Sequence, residues 1–293
     1  MGKRTLIDWH FEIANYLLLT VIGIMMFFPF LYIASYSLSE PSKLPQGLIM
    51  LPAGFTVEAY IRAFQDPAVF RSILISVGRT VLGPALMIFV TSMAAYCLTR
   101  NDFLGVRFWR KFFVFTMYFS SGLIPLYVLI VQLHLSKSFY VYIIPTAISV
   151  FSMILIKTYI ESLPDSLEEA AVVDGANDLT VFWRVIFPLC LPVIAAMVLF
   201  SAVGQWNNFM DTQLYNAMNP ELFTLQYVLY QTLSNANNAS LMQSSAANPT
   251  ANTVTPEGLK MAITMITVLP VMMIYPFLQR YFIKGMLVGS IKG

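Results

Sequence analysis

Glu168, Glu169, Asp174 and Asp178 crowd four carboxylates into residues 166–192, SLEEAAVVDGANDLTVFWRVIFPLCLP, a polar stretch between two long apolar runs. Carboxylates at this density suit an ion-paired contact with basic groups on another protein. Ala170 and Ala171 beside them would let a second backbone approach closely. Local rules predict how the contact is presented. Ser166 and Glu169 match the reciprocal Ser-x-x-Glu capping box, and Ala170 to Val173 carry about two helical turns. Gly175 can take the left-handed cap that ends the helix, and Asn177 or Asp178 can start a second short helix through Phe182 and Trp183. The alternative is an amphipathic helix lying on lipid, but such helices favour Lys and Arg on the polar face. A second set, Gln205, Trp206, Asn207 and Asn208, combines a flat ring with amides, the pairing that stacks on a sugar and bonds its hydroxyls. An interfacial aromatic beside ordinary amides is the competing reading. Tyr118 and Tyr127 offer further rings, although aromatics at helical spacing also serve packing.

These residues need a scaffold, and composition predicts its class. With 293 residues, 58% hydrophobic, 11% charged and mean hydropathy +0.70, the chain reads as an all-α polytopic membrane protein. Six runs are candidate spans: 16–36, 73–98, 112–133, 140–160, 186–206 and 261–282. Each approaches the ~20 residues that cross ~30 Å of hydrocarbon. Barrel strands are discounted because they alternate in short segments. The expected organisation is a cytoplasmic segment 1–15 followed by a six-span domain 16–293, with a docking loop at 161–185 and an outer loop at 211–257.

Basic residues orient the spans. With the N-terminus inside, Lys3, Arg4, Arg100, Arg107, Arg110, Lys111, Lys157, Arg184, Arg280, Lys284 and Lys292 fall at or near the inner face. Lys43, Arg62, Arg71, Lys137 and Lys260 fall outside. Both termini and the acidic loop are therefore expected in the cytoplasm. Of the outer segments, 37–69 is turn-rich and predicts a short surface helix from Val57 to Phe64 capped by Thr56. Within 211–257, the Asn/Ser-rich run SNANNASLMQSSAANPTANT is expected to be mobile. The first apolar run is too long for a cleavable signal and is expected to remain as an anchor. Cys97 and Cys190 read as apolar fillers, and two histidines give no support to a metal site.

The order Glu169-Ala170-Ala171, then Gly175, then Val185, Phe187 and Pro188 resembles the EAA loop of membrane subunits of binding-protein-dependent ABC importers. Val185 and Phe187 depart from the isoleucine and leucine of that pattern but keep bulk and apolarity. The likeness extends through MYFSSGLIPLYVLIVQLHL from Met117, the run from Pro145 into the loop, FSAVGQWNNFMD from Phe200 and YPFLQRYFIKGMLVGSIKG from Tyr275. Together these are similar to the maltose-type permeases, within them to the lipo-oligosaccharide branch, and within that to the second membrane subunit of bacterial alginate importers. The resemblance implies a type I importer permease fold in the bacterial inner membrane, with Glu169, Ala170, Ala171, Asp174 and Gly175 in a coupling helix. It implies a heterodimer with a second permease, two ATP-binding subunits, an extracytoplasmic solute-binding protein and surrounding lipid, without nucleic acid. It places ATP and magnesium on the partner ATPase and no cofactor on this chain.

The energy source follows from two omissions in the sequence. No Gly-x-x-x-x-Gly-Lys-Ser/Thr run occurs, so the chain itself is not expected to be an enzyme. No carboxylate falls near the middle of a predicted span, where an ion-coupled carrier would need one. Arg79, several residues inside the second span, could line the path of an acidic sugar such as alginate, or it could snorkel or bond neighbouring carbonyls. A permease for another solute, such as an amino acid or peptide, and a non-transporting scaffold are the alternative functions. In a cysteine-free background, Asp174→Cys and Ser244→Cys are expected to react with an impermeant thiol reagent from opposite sides of the membrane. Labelling of Asp174→Cys in intact cells would invert the topology.

Overall fold

Where lipid replaces water, backbone hydrogen bonds must close within the chain, and helices meet that constraint. The computed structural model describes residues 6–45, 47–119, 121–242 and 254–289. Among these the only strand-like feature is one antiparallel bridge, Ser39 to Phe55. The helices are α1 (Leu6–Ser37), α2 (Glu58–Gln65), α3 (Pro67–Thr99), α4 (Val106–Tyr118), α5 (Leu123–Gln132), α6 (Val150–Ile160), α7 (Ser166–Val173), α8 (Asp178–Val181), α9 (Phe187–Leu189), α10 (Leu191–Asn207), α11 (Leu225–Met242) and α12 (Pro256–Gly289). Lys3, Arg4, Lys292 and Ser244 lie outside the described residues.

Among the described residues, three helices are long and apolar enough to cross a bilayer unaided: α1 from Trp9, α3, and α12 as far as Ile274. The other three predicted spans are each interrupted. The run 112–133 divides into α4 and α5, with Gly122 at φ 83° beside the break. The run 140–160 opens with 3₁₀ turns at Phe139–Tyr142 and Ile144–Thr146, and α6 starts only after Ser149, whose side chain accepts from the Ser152 amide. Pro145 has no N–H to continue a helical ladder. The run 186–206 is entered by α8, a π-helical turn at Phe182–Ile186 and α9, and it bends by 78° before α10. Pro192 sits in the first turn of α10, where a missing N–H costs least. No Pro or Gly interrupts 6–15, and the described part of the segment expected to precede the first span is helical. The segment 211–257 contains regular elements. It carries a π turn at Thr212–Asn216, and α11 takes in the first nine residues of the Asn/Ser-rich run, 234–242.

The chain partitions into two units, 1–67 with 231–269 and 68–230 with 270–293. In the first, α1 is apolar around its circumference and exposed along its membrane-length stretch, the surface expected against lipid. Serines tie the following segment to its end: Ser35 Oγ donates to Met50 O at 2.9 Å, and Ser39 Oγ accepts from the Ala53 amide at 3.0 Å. α2 starts one residue after its expected position, with Thr56 Oγ1 accepting from the Glu58 amide. Ala59 packs against Val254 and Ala262.

The second unit is organised on α3. Its buried stripe of Ser72, Ser76, Arg79, Gly83, Met87, Thr91, Ala95 and Leu98 advances by three or four residues at each step, as one helical face must. Most of these side chains are small, which lets neighbouring helices approach closely where lipid supplies no hydrophobic drive. Around its later half, Met153, Ile156 and Ile160 of α6 and Val181, Phe182, Ile186 and Ile194 complete one apolar cluster.

Candidate functional site

Local backbone rules build the acidic loop. Pro164 starts the winding, its carbonyl accepting from the Leu167 amide at 3.2 Å. Asp165 takes the cap position without a side-chain hydrogen bond, and its carbonyl accepts from Glu168 and Glu169. Ser166 is therefore the first helical residue, and the Ser166–Glu169 capping box does not form. The exit is as expected. Gly175 adopts φ 83°, its amide reaches Val172 O at 2.9 Å, and the Ala176 amide reaches Ala171 O at 3.0 Å, which is a Schellman closure. Asn177 Oδ1 accepts from Thr180 N at 2.9 Å and caps α8.

This hairpin has two faces. Ala171 packs inward on the apolar cluster, while Glu169, Ala170, Asp174 and Gly175 are exposed. Val172, Val173 and Leu179 are also exposed, Val173 at 86%, among Asp165, Glu169, Asp174 and Asp178. Exposed apolar side chains and exposed carboxylates thus share this hairpin. Glu168, one residue from Glu169, turns the other way and pairs with Arg100 at 2.5 Å.

The second set is arranged around Arg79, which is 1% exposed. Its Nε donates to Gln205 Oε1 at 2.9 Å, and Nη1 donates to Asn208 O at 3.1 Å and to Asp211 Oδ1 at 3.0 Å. Nη2 donates to Asp211 Oδ2, completing a two-pronged ion pair, and the guanidinium lies 4.5 Å from the centroid of the Tyr142 ring. Gln205 is equally committed. Its Nε2 donates to Tyr142 O at 3.0 Å and Thr146 Oγ1 at 2.8 Å. Gly83 makes room for it, since a Cβ there would come within 2.8 Å of Gln205 Nε2.

Arg79 and Gln205 thus meet inside the protein, and Trp206 is 9% exposed, whereas Asn207, Asn208 and Tyr118 are exposed, Tyr118 at 80%. Asp211 and Tyr142 were not singled out with Arg79 by sequence. The available signal was a carboxylate three residues after Asn208, at a span end, in a chain with an arginine several residues inside a span. Beside this corner a cleft of about 400 Å³ has a mainly apolar wall that includes Met87, Ile148, Phe151 and Phe200, with Thr146, Ser149, Ser152 and Ser201 also lining it. Thr146 joins the two, because it lines the cleft and accepts from Gln205.

The family signature described as binding-protein-dependent transport system inner membrane component matches residues 103–288. Protein LplC of Bacillus subtilis (strain 168) is 38% identical over 288 residues, covering 97% of this chain and 95% of LplC. The polygalacturonan/rhamnogalacturonan transport system permease protein YtcP of the same strain is 35% identical over 287 residues, with 97% and 98% covered. Among solved structures, a bacterial ABC transporter involved in the import of the acidic polysaccharide alginate matches at TM-score 0.85 and 30% identity, covering 96% of this chain and 100% of that one.

The buried corner carries a stability prediction. Asp211→Asn leaves the Arg79 charge without its counter-ion, and a loss of about 3 kcal/mol is expected from breaking a buried pair. Denaturant titration of the purified protein in detergent reads this as a lower unfolding midpoint. An unchanged midpoint would mean that Gln205, Asn208 O and Tyr142 satisfy the guanidinium without the carboxylate.

Proposed function

The chain belongs to the family of binding-protein-dependent transport system inner membrane components, and from that premise we propose that it forms one half of an acidic-oligosaccharide path and takes its driving force from a separate ATPase. The coarser statement stands without the proposal: this is a non-catalytic, multi-pass inner-membrane permease of a sugar ABC importer. Acidic substrates are favoured because polygalacturonan and alginate, named for two of the similar proteins, are both polymers of uronic acids.

The observation that carries the coupling reading is the exposed face of the hairpin at residues 165–179. An apolar centre of Val172, Val173 and Leu179 with four carboxylates around it suits a cleft with basic edges on an ATP-binding subunit, where ATP and magnesium would be held. A solute-binding protein would deliver sugar from outside, a second permease would complete the path, and both termini would face the cytoplasm.

For the path we favour exposed groups over buried ones. Asn207 and the hydroxyls of the cleft would present donors and acceptors to a sugar, with Phe200 and Tyr118 as rings, while Asn208 is exposed but already bonded to Asp211 and the Met210 amide. Arg79, Gln205 and Trp206 would act from behind by holding the end of α10. Polar groups backed by fixed partners lose little freedom when a ligand binds, which favours a site of this design.

Two measurements test the proposal. The cognate solute-binding protein is expected to bind oligouronates and not neutral oligosaccharides of equal length; neutral selectivity would overturn the acidic-substrate reading. In the reconstituted complex, Gly175→Arg and Ala170→Trp are expected to abolish sugar uptake while the permease still inserts. Gly175→Arg strains a left-handed backbone, and Ala170→Trp obstructs close approach. Normal uptake in both variants would sink the docking assignment.

A further inference from the structure

Two adjacent carboxylates on α7 have different surroundings. Glu169 is exposed on the docking face, whereas Glu168 is 22% exposed and ion-paired with Arg100, itself 29% exposed, at the end of α3. Arg100 is held on a second side: its Nη2 donates to the Tyr96 hydroxyl and its guanidinium lies 4.4 Å from the centre of the Tyr96 ring. Tyr96 is buried, and its ring is 5.2 Å from Phe182, which belongs to the returning limb of the same hairpin. The hairpin is therefore fastened to the last turn of α3 through both limbs, by charge at Glu168 and by ring packing at Phe182. Arg110 of α4 steadies that turn from another direction, its Nε donating to Leu98 O at 2.7 Å and its Nη2 to Thr99 O at 3.4 Å.

α3 runs as a single helix from Pro67 to Thr99 with Pro84 inside it, and Arg79 lies on it. At 1.5 Å per residue, the twenty steps from Arg79 to Thr99 span about 30 Å. One helix thus connects the fastening at the hairpin to the ion-paired corner that holds Gln205 and the end of α10.

We propose that Arg100 and Glu168 are positioning residues that latch the docking hairpin to α3, so that displacement of the hairpin by the ATPase is passed along α3 to the Arg79 corner. This rests on the docking reading above. The latch lies on the protein side of α7 and is distinct from the exposed Glu169 face. A charge pair suits the task because it is stiff while partly desolvated, yet can separate and re-form when its two elements move.

The test uses the full complex with both permeases, ATPase subunits and solute-binding protein in proteoliposomes, measuring sugar imported and ATP hydrolysed in the same vesicles. Glu168→Gln and Arg100→Gln are each expected to retain the ATPase subunits on purification and to lower sugar imported per ATP by about tenfold. The double variant is expected to be no worse than either single one, because a pair acting as a unit is lost once. Glu168→Asp is expected to recover part of the ratio. Singles with the wild-type ratio, or losses that multiply in the double variant, would overturn the latch. Loss of the ATPase subunits from Glu168→Gln would also overturn it, by making Glu168 a docking contact. Gly175→Arg serves as the control: if it transports normally, the docking reading has failed, whereas a defective Gly175→Arg beside a normal Glu168→Gln rejects the latch alone.

Discussion

A guanidinium that is 1% exposed has to be answered by fixed partners, and the arrangement of residues 68–230 depends on how Arg79 is answered. An ion removed from water is tolerable only when a counter-charge and further hydrogen bonds replace its hydration. Here both oxygens of Asp211, the Gln205 amide oxygen, the Asn208 carbonyl and the Tyr142 ring do so together. These partners come from the end of α10, the connection that follows it and a 3₁₀ turn before α6. Satisfying one side chain therefore draws two separate stretches of chain, the 3₁₀ turn at Tyr142 and residues 205–211, onto α3. Gly83, one turn along the same face, admits Gln205 where any side chain would collide.

The rest of the buried face of α3 continues this logic with less charge. Ser76 accepts from the Leu225 amide at 2.8 Å at the start of α11, and Thr91 accepts from the Ser149 amide at 3.2 Å ahead of α6. Both bonds satisfy backbone donors near helix starts, where the helix itself offers no acceptor. Toward the other end the face becomes apolar, and Tyr96 and Leu98 meet the limb that carries the acidic hairpin. A single helix surface thus changes from polar brace to hydrophobic seat along its length.

The interruptions in the runs 140–160 and 186–206 share one condition. Lipid-exposed irregular backbone is excluded, but irregular backbone packed against protein or lining a cavity is tolerated. The 3₁₀ turns before α6 fit this rule: Tyr142 is fully buried, its hydroxyl donates to Leu222 O at 2.7 Å, and Thr146 lines the cleft. The π turn at Phe182–Ile186 aligns Phe182 and Trp183 so that they pack on Tyr96 and Phe89.

The sequence by itself determined the class of protein, the six apolar runs and the chemistry of short backbone stretches. Gly175 ends α7 and Asn177 caps α8 because both effects act within a few residues and need nothing from elsewhere. The same kind of reasoning misplaced the start of α7, where Pro164 began the turn before Ser166 could cap it. Apolarity marked 112–133, 140–160 and 186–206 as span-length but did not mark their breaks, since hydropathy reports preference for lipid and not where a backbone bends. Tertiary structure alone decided that Arg79 pairs with a carboxylate 132 positions away, that Gln205 and Trp206 turn inward while Asn207 and Asn208 stay exposed, and that Glu168 is partly buried against Arg100 while Glu169 stays exposed. These outcomes depend on which helix surfaces come together, and spacing along the chain holds no record of a contact between residues so far apart.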